Sequence, residues 1–313
     1  MLEVNAVAPV VIPVFGTAVL GYVLARGGLF SAEVGTALVR FMYYLAIPAM
    51  LFRILANAEL PAEIPWRYLV AFYLPAFATF WLAMRLVRAW FSWQRREEGI
   101  AGMSASYSNM VMLGYPLTLA AFGTDAAVPM FILLATQSTF MFPIVTYTTE
   151  ISGEVNLAGA AARLRALAKP MLNPVILSLA LGVAANLMAL PLHPSADRIL
   201  ELVGAAGPGC ALVALGISLA QYQLGGGYRT VVLLVGLKNF VFPAAVWLTC
   251  RLLGIEGVWL HVAVLLAVMP TGVNAFIFSS QYGIRRSDVS KTIVVSTVIS
   301  SIVATVLLGM FMT

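Results

Sequence analysis

Three polar groupings sit inside apolar runs and offer hydrogen bonds where a membrane helix normally offers none. They are Ser108-Asn109-Met110-Val111-Met112-Leu113-Gly114-Tyr115-Pro116-Leu117, Met269-Pro270-Thr271-Gly272-Val273-Asn274-Ala275-Phe276, and the pair Lys238-Asn239. Proline removes an amide hydrogen and fouls the preceding turn, so the first two stretches read as broken transmembrane helices. A break frees backbone groups at a depth where lipid cannot satisfy them, and it persists only inside protein or beside a wet cavity. The chemistry this permits is binding. A half-helix N-terminus presents unpaired N–H groups and a partial positive charge, which suit a carboxylate. Pro116 and Pro270 are each expected to open a second half-helix, where the missing N–H costs little. Ser106, Ser108, Asn109, Tyr115, Thr271 and Asn274 supply side chains that either contact a bound molecule or satisfy the freed backbone.

Lys238 lies about nine residues beyond Arg229, roughly 13 Å into the membrane at ~1.5 Å per residue. It either holds a substrate's negative charge or reaches back to the interface. The run Thr136-Gln137-Ser138-Thr139 points to Gln137 as a substrate contact, its largest hydrogen-bonding group, or to polar links between helices. Asn173, before Pro174, is a further contact or a helix cap.

Covalent chemistry finds no footing. Cys210 and Cys250 stand alone in apolar runs, and His193 and His261 have no neighbour at metal-ligand spacing, so neither a metal nor a cofactor is expected. No nucleophile–base pair suggests an enzyme. Carboxylates fall in loops or at helix ends, which leaves no obvious proton relay, while a coupling Na+ held by unwound carbonyls leaves no sequence signature. The net charge of +5 belongs to loops and carries no nucleic-acid footprint.

Residues of this kind need a membrane scaffold, and the composition supplies one: 61% hydrophobic and 10% charged over 313 residues, against about 25% charged in soluble domains. Ten apolar segments, at roughly 6–25, 34–56, 67–90, 99–122, 126–149, 170–190, 198–220, 230–253, 257–282 and 289–312, predict an all-α polytopic protein of ten transmembrane helices. Arg26, Arg85, Arg88, Arg95, Arg96, Arg163, Arg165, Lys169, Arg229, Arg285, Arg286 and Lys291 gather on one side, with only Arg53, Arg67, Arg198 and Arg251 on the other. Both termini are therefore expected outside a bacterial inner membrane. Residues 1–313 read as a single transporter domain. Repeat one spans about 1–150, a cytoplasmic linker about 151–169, and repeat two about 170–313. Five helices per half invert the second half. Pro9-Val-Val-Ile12 is echoed by Pro174-Val-Ile-Leu177, while Pro48 and Pro208, and Phe122-Gly123 and Tyr282-Gly283, recur at a spacing of 160. Segments 4 and 9, broken and antiparallel, are expected to cross near mid-membrane.

Asn109-Met-Val-Met-Leu-Gly-Tyr-Pro-Leu117, Asn173-Pro-Val-Ile-Leu-Ser-Leu-Ala-Leu-Gly182 and Met269-Pro-Thr-Gly-Val-Asn-Ala-Phe276, in this order and placement, resemble the auxin efflux carrier family. Its bacterial members include malonate and malate permeases, and its plant members the PIN-formed auxin exporters. The resemblance covers essentially the whole chain, without the long central loop of many plant members. It implies a scaffold of helices 1, 2, 6 and 7, a moving transport domain of helices 3–5 and 8–10, a homodimer through the scaffold, and elevator-like alternating access. By position, Asn109, Gly114 and Pro116 match the helix 4 motif, Gln137 the polar helix 5 position and Pro270 the helix 9 break. Thr271, Asn274 and the Ala49-Met50-Leu51-Phe52 that follows Pro48 depart from the plant pattern, which argues against auxin itself.

The expectation is a secondary active transporter of a small organic anion, a mono- or dicarboxylate such as malonate or malate. A passive channel for organic anions and a ligand-binding membrane sensor are the alternatives.

Overall fold

The computed structural model describes residues 4–57, 65–150, 174–222 and 227–311, and the described chain is helical nearly throughout. Helix α1 is Val4–Arg26; α2, Ala32–Phe41, runs through a π-turn at Met42–Ala46 into α3, Ile47–Ala56. Next come α4 (Trp66–Phe91), α5 (Arg95–Ser106), a π-turn at Met110–Gly114 leading into α6 (Tyr115–Phe122), and α7 (Ala127–Glu150). The second half holds α8 (Pro174–Leu187), α9 (Pro194–Ala205), α10 (Gly207–Gln221) and α11 (Arg229–Gly236). A π-turn at Leu237–Val241 leads on into α12 (Phe242–Leu252), followed by α13 (Gly257–Val268), α14 (Val273–Tyr282) and α15 (Arg286–Phe311).

The expected apolar segments are helical over most of their described residues, with breaks at 107–109 and 269–272. Seven stretches among the described residues are long and apolar enough to cross a membrane: Val7–Arg26, Ala32–Ala56, Trp66–Phe91, Met110–Thr149, Pro194–Gln221, Arg229–Leu252 and Arg286–Phe311. The 40-residue stretch Met110–Thr149 turns at Gly123, whose φ of 63° suits a residue without Cβ. Gly283 ends α14 in the same way at φ 71°. The expected linker, 151–169, and Asn173 lie outside the described residues.

Each π-turn stands two residues ahead of a proline: Pro48, Pro116 and Pro243. The amide just before that proline bonds five residues back, Ile47 to Met42, Tyr115 to Met110 and Phe242 to Leu237. The widened turn lets the rod pass the N–H that proline lacks without ending the helix.

Two groups of helices emerge from the packing. In the first, α1 and α2 lie on α10, while α3 packs against α8 and α9. In the second, α4 contacts α5 and α12, α5 meets α7, α12 meets α13, and α15 meets α11 and α14. The groups touch where α10 meets the Met110–Gly114 turn and where α1 meets α6 and α15. At one end of the second group, Glu97 accepts a bidentate pair from Arg285 at 2.9 and 3.0 Å, and Arg285 lies over the Trp93 ring. Arg88 pairs with the buried Glu98 beside it.

Candidate functional site

The two broken segments meet backbone to backbone. α5 stops at Ser106, the chain leaves the helix extended at Tyr107 and turns at Asn109, and the helix restarts at Met110 with Asn109 as its N-cap; the Asn109 Oδ1 accepts from the Met112 amide at 3.3 Å. In the other segment α13 stops at Val268 and α14 restarts at Val273 behind an extended Gly272. Ser108 and Thr271 form an antiparallel bridge. The Asn109 amide donates to the Pro270 carbonyl at 2.8 Å, and the Gly272 amide to the Tyr107 carbonyl at 2.9 Å. Groups freed by one break are thus satisfied by the other, as an apolar surrounding requires. Close approach explains two glycines. A Cβ on Gly272 would collide with the Tyr107 ring, and one on Gly114 would stand 2.8 Å from Leu266 Cδ2.

Second halves therefore begin at Met110 and Val273, which corrects the expectation that Pro116 and Pro270 open them. Pro116 follows the π-turn inside a continuous rod, and Pro270 lies in the extended bridge, where its carbonyl is the useful group. The asparagine cap at 109 and the π-turn after it make a proline start unnecessary.

Side chains from three other helices close around the bridge. Gln137 on α7 holds both backbone groups of Ser108, accepting from its N–H at 3.2 Å and donating to its carbonyl at 2.9 Å. Lys238, in the π-turn before α12, is fully buried; its Nζ donates to the Ala267 carbonyl at 2.6 Å and to Ser108 Oγ at 3.0 Å. The snorkelling alternative is thus not the arrangement seen. A lysine is well placed there, since the C-terminal end of α13 carries partial negative charge. Asn239 donates to Ser300 Oγ at 2.6 Å, and that hydroxyl donates to the Val268 carbonyl at 2.7 Å. Thr271 is fully engaged, its hydroxyl on the Ser104 carbonyl and its amide on Ser296 Oγ. Asn274 donates to the Tyr107 hydroxyl at 2.9 Å, and that hydroxyl also bonds Ser138 Oγ.

Of the residues expected from sequence, Asn109, Gly114, Gln137, Lys238, Pro270, Thr271 and Asn274 come together at the bridge. Tyr115 and Pro116 follow one turn along the restarted rod, with the Tyr115 hydroxyl directed at Met50 Sδ on α3. Sequence reasoning passed over Tyr107, Ser296 and Ser300. Ser296 and Ser300 stand four apart in an apolar helix, a spacing that places both hydroxyls on one face and could have exposed them.

Two features bear on binding, one at the bridge and one away from it. Asn109 Nδ2 is buried and has no hydrogen-bond partner, a donor left open beside a helix N-terminus. A cleft of about 1150 Å³ also opens between the two helix groups. It lies away from the bridge, lined by Arg53, Asn57 and Asp197 from one group and Thr124, Asp125 and Trp259 from the other. Arg53 pairs bidentately with Asp197 there, at 2.7 and 3.0 Å.

Comparison with known proteins covers the same span as these features. A family model described as membrane transport protein matches residues 6–308. A candidate malonate transporter of Rhizobium meliloti (strain 1021) is 30% identical over 95% of this chain and 92% of its own. Auxin efflux carrier component 8 of Arabidopsis thaliana is 21% identical over 94% of each chain. The lysosomal cholesterol signaling protein of Mus musculus is 22% identical over 96% of this chain but only 37% of its own length.

Proposed function

This chain belongs to the membrane transport protein family that includes the auxin efflux carriers, and from that premise we propose that it is a secondary active transporter of a small organic anion. The substrate is a mono- or dicarboxylate such as malonate or malate. The observation that carries this reading is the unpartnered Asn109 amide, set at a helix N-terminus beside the buried Lys238. A carboxylate oxygen accepts from such a donor more strongly than a neutral group does. The similarity to a candidate malonate transporter supports the same substrate class. Gly114, Pro116, Gln137, Pro270 and Thr271 shape and brace the site, while Asn109, Tyr115, Lys238 and Asn274 are its polar contacts.

The proposed architecture is ten transmembrane helices in two inverted repeats. The paired helix ends at Gly123 and Gly283 support it, as does a proline in the first turn of both α3 and α10, at Pro48 and Pro208. The first helix group serves as scaffold and carries the dimer contact; the second moves as an elevator, alternately exposing the bridge. The distribution of basic residues supports both termini outside the inner membrane, and on that reading the cleft lined by Arg53 and Trp259 faces outward.

Binding of malonate and malate to purified protein, followed as a ligand-dependent rise in Tm, tests the proposal. Asn109→Ala should weaken binding about tenfold or more, while loss of the cap alone costs about 1 kcal/mol of stability. Unchanged affinity removes Asn109 from the site. A channel would show no counter-transport of labelled substrate in vesicles. The sensor alternative draws support from the mouse relative, most of whose length lies beyond the shared region; binding without flux would favour it.

A further inference from the structure

The face of α4 left uncovered by other helices is a single stripe. Trp66, Val70, Leu74, Trp81, Leu82 and Arg85 are all exposed, and steps of three, four and seven residues place them on one side of the helix. An apolar face that ends in an arginine thus meets the surrounding lipid. Trp66 and Trp90, both exposed, stand about 36 Å apart along the axis and mark the two interfaces, where tryptophan concentrates. Arg85 is about 28 Å from Trp66 at the same rise per residue, at the edge of a hydrocarbon core of ~30 Å. Lipid phosphates begin at that depth.

Other arginines gather at this end of the second helix group. α4 ends at Phe91, Ser92 turns the chain in the left-handed region at φ 53°, and α5 returns from Arg95. The two helices pack together, and Glu98 fixes their register by accepting from Arg88 Nε and Nη2 at 2.6 and 2.5 Å. Counted from that pair, Arg95 stands about one turn nearer the membrane surface and Arg85 about one turn deeper. Their backbones therefore lie within about 9 Å of depth, and long arginine side chains reach along it toward the headgroups. The carboxylates here are already engaged, Glu98 by Arg88 and Glu97 by Arg285. Arg85, Arg95 and Arg96 are exposed and have no hydrogen-bond or ion-pair partner among the described residues.

We propose that Arg85, Arg95 and Arg96 form a binding site for the headgroup of an anionic phospholipid, where α4 turns into α5. Guanidinium forks match phosphate oxygens. Unpaired positive charge near the surface favours a headgroup of net negative charge over a zwitterionic one. Lipid is the source of phosphate that meets Arg85, since Trp81 and Leu82 beside it face acyl chains. α5 runs from Arg95 to Ser106, directly ahead of the bridge, so the bound lipid steadies the helix that leads into the first break. The lipid site stands whatever the transported molecule is.

The test is the Tm of the purified full chain in neutral detergent as short-chain phosphatidylglycerol or phosphatidylcholine is added, since a ligand of the folded state raises it. Wild type should respond to phosphatidylglycerol at a concentration about tenfold lower, or less, than to phosphatidylcholine. The triple variant Arg85→Gln/Arg95→Gln/Arg96→Gln should lose that preference. Arg85→Gln alone should need about fivefold more phosphatidylglycerol, the attraction of one surface charge, and it decides the matter if the triple variant fails to fold. Arg26→Gln/Arg40→Gln removes exposed charges elsewhere and should keep the preference. Equal response of wild type to the two lipids overturns the proposal, as does a preference that survives the substitutions at 85, 95 and 96. An equal loss in the Arg26/Arg40 variant would reduce the effect to net charge and overturn it too. The same rise with inorganic phosphate would make this a site for the free ion, not for lipid.

Discussion

The two helix groups differ in the contacts that dominate them, although Asn186 of the first also donates to the Leu55 and Ala56 carbonyls. In the first, the backbones of neighbouring helices touch. A Cβ on Gly216 of α10 would overlap the Ala18 carbonyl of α1, one on Gly21 would overlap the Val213 carbonyl, and one on Gly204 would stand 2.8 Å from Met50 Cβ. In the second, side chains reach across: Gln137 to Ser108, Lys238 to Ala267, Thr271 to Ser104, and Asn239 to Ser300. Small residues in lipid give association through close van der Waals contact, which has no directional tolerance to exploit. Polar links instead follow the backbone wherever it is unwound. A region built the first way suits a fixed frame, and one built the second way can carry a broken backbone within it.

The comparison is most easily broken at the glycine contacts. Gly216→Val forces α1 and α10 apart and should destabilise the protein by about 3 kcal/mol, at the upper end of overpacking costs; a Tm unchanged from wild type would refute backbone contact as the glue of that group. Next comes Gln137→Leu, which removes both side-chain bonds to Ser108 and leaves a buried backbone N–H unpaired. Its cost should be about 2 kcal/mol, read in the same melts, with anion binding impaired because the bridge shifts. The smallest effect belongs to Asp197→Asn, which weakens a half-exposed ion pair with Arg53. A loss of about 0.5 kcal/mol is expected, and a larger one would mean that the first group depends on directional polar contacts as much as on backbone contact.

The same contrast explains what could be read in advance. Breaks were legible because Gly, Pro and Asn grouped at the middle of an apolar run leave a continuous helix little chance to form, and Ser108, Asn109, Thr271 and Asn274 could be named on that ground alone. The restart points were not, since a π-turn depends on a carbonyl shifting its partner by one residue, and nothing in Met110-Val-Met-Leu-Gly114 marks that. Lys238 could be placed at depth by counting, but its direction depended on where the α13 carbonyls ended. The glycines at 21, 204 and 216 were silent for a different reason: glycine is common in membrane helices, and only the neighbouring backbone shows which of them are pressed.

A π-turn is also an α-helix carrying one surplus residue. Downstream of Met42–Ala46 and Leu237–Val241, each rod is consequently out of phase, by about 100° of rotation, with a helical wheel drawn from its upstream half. Faces assigned by counting across these turns are misassigned, and the wheel has to be restarted at Ile47 and Phe242. Deleting a single residue from either turn would restore the phase and swing everything beyond it to a new heading, without changing the composition of the segment by more than that one residue.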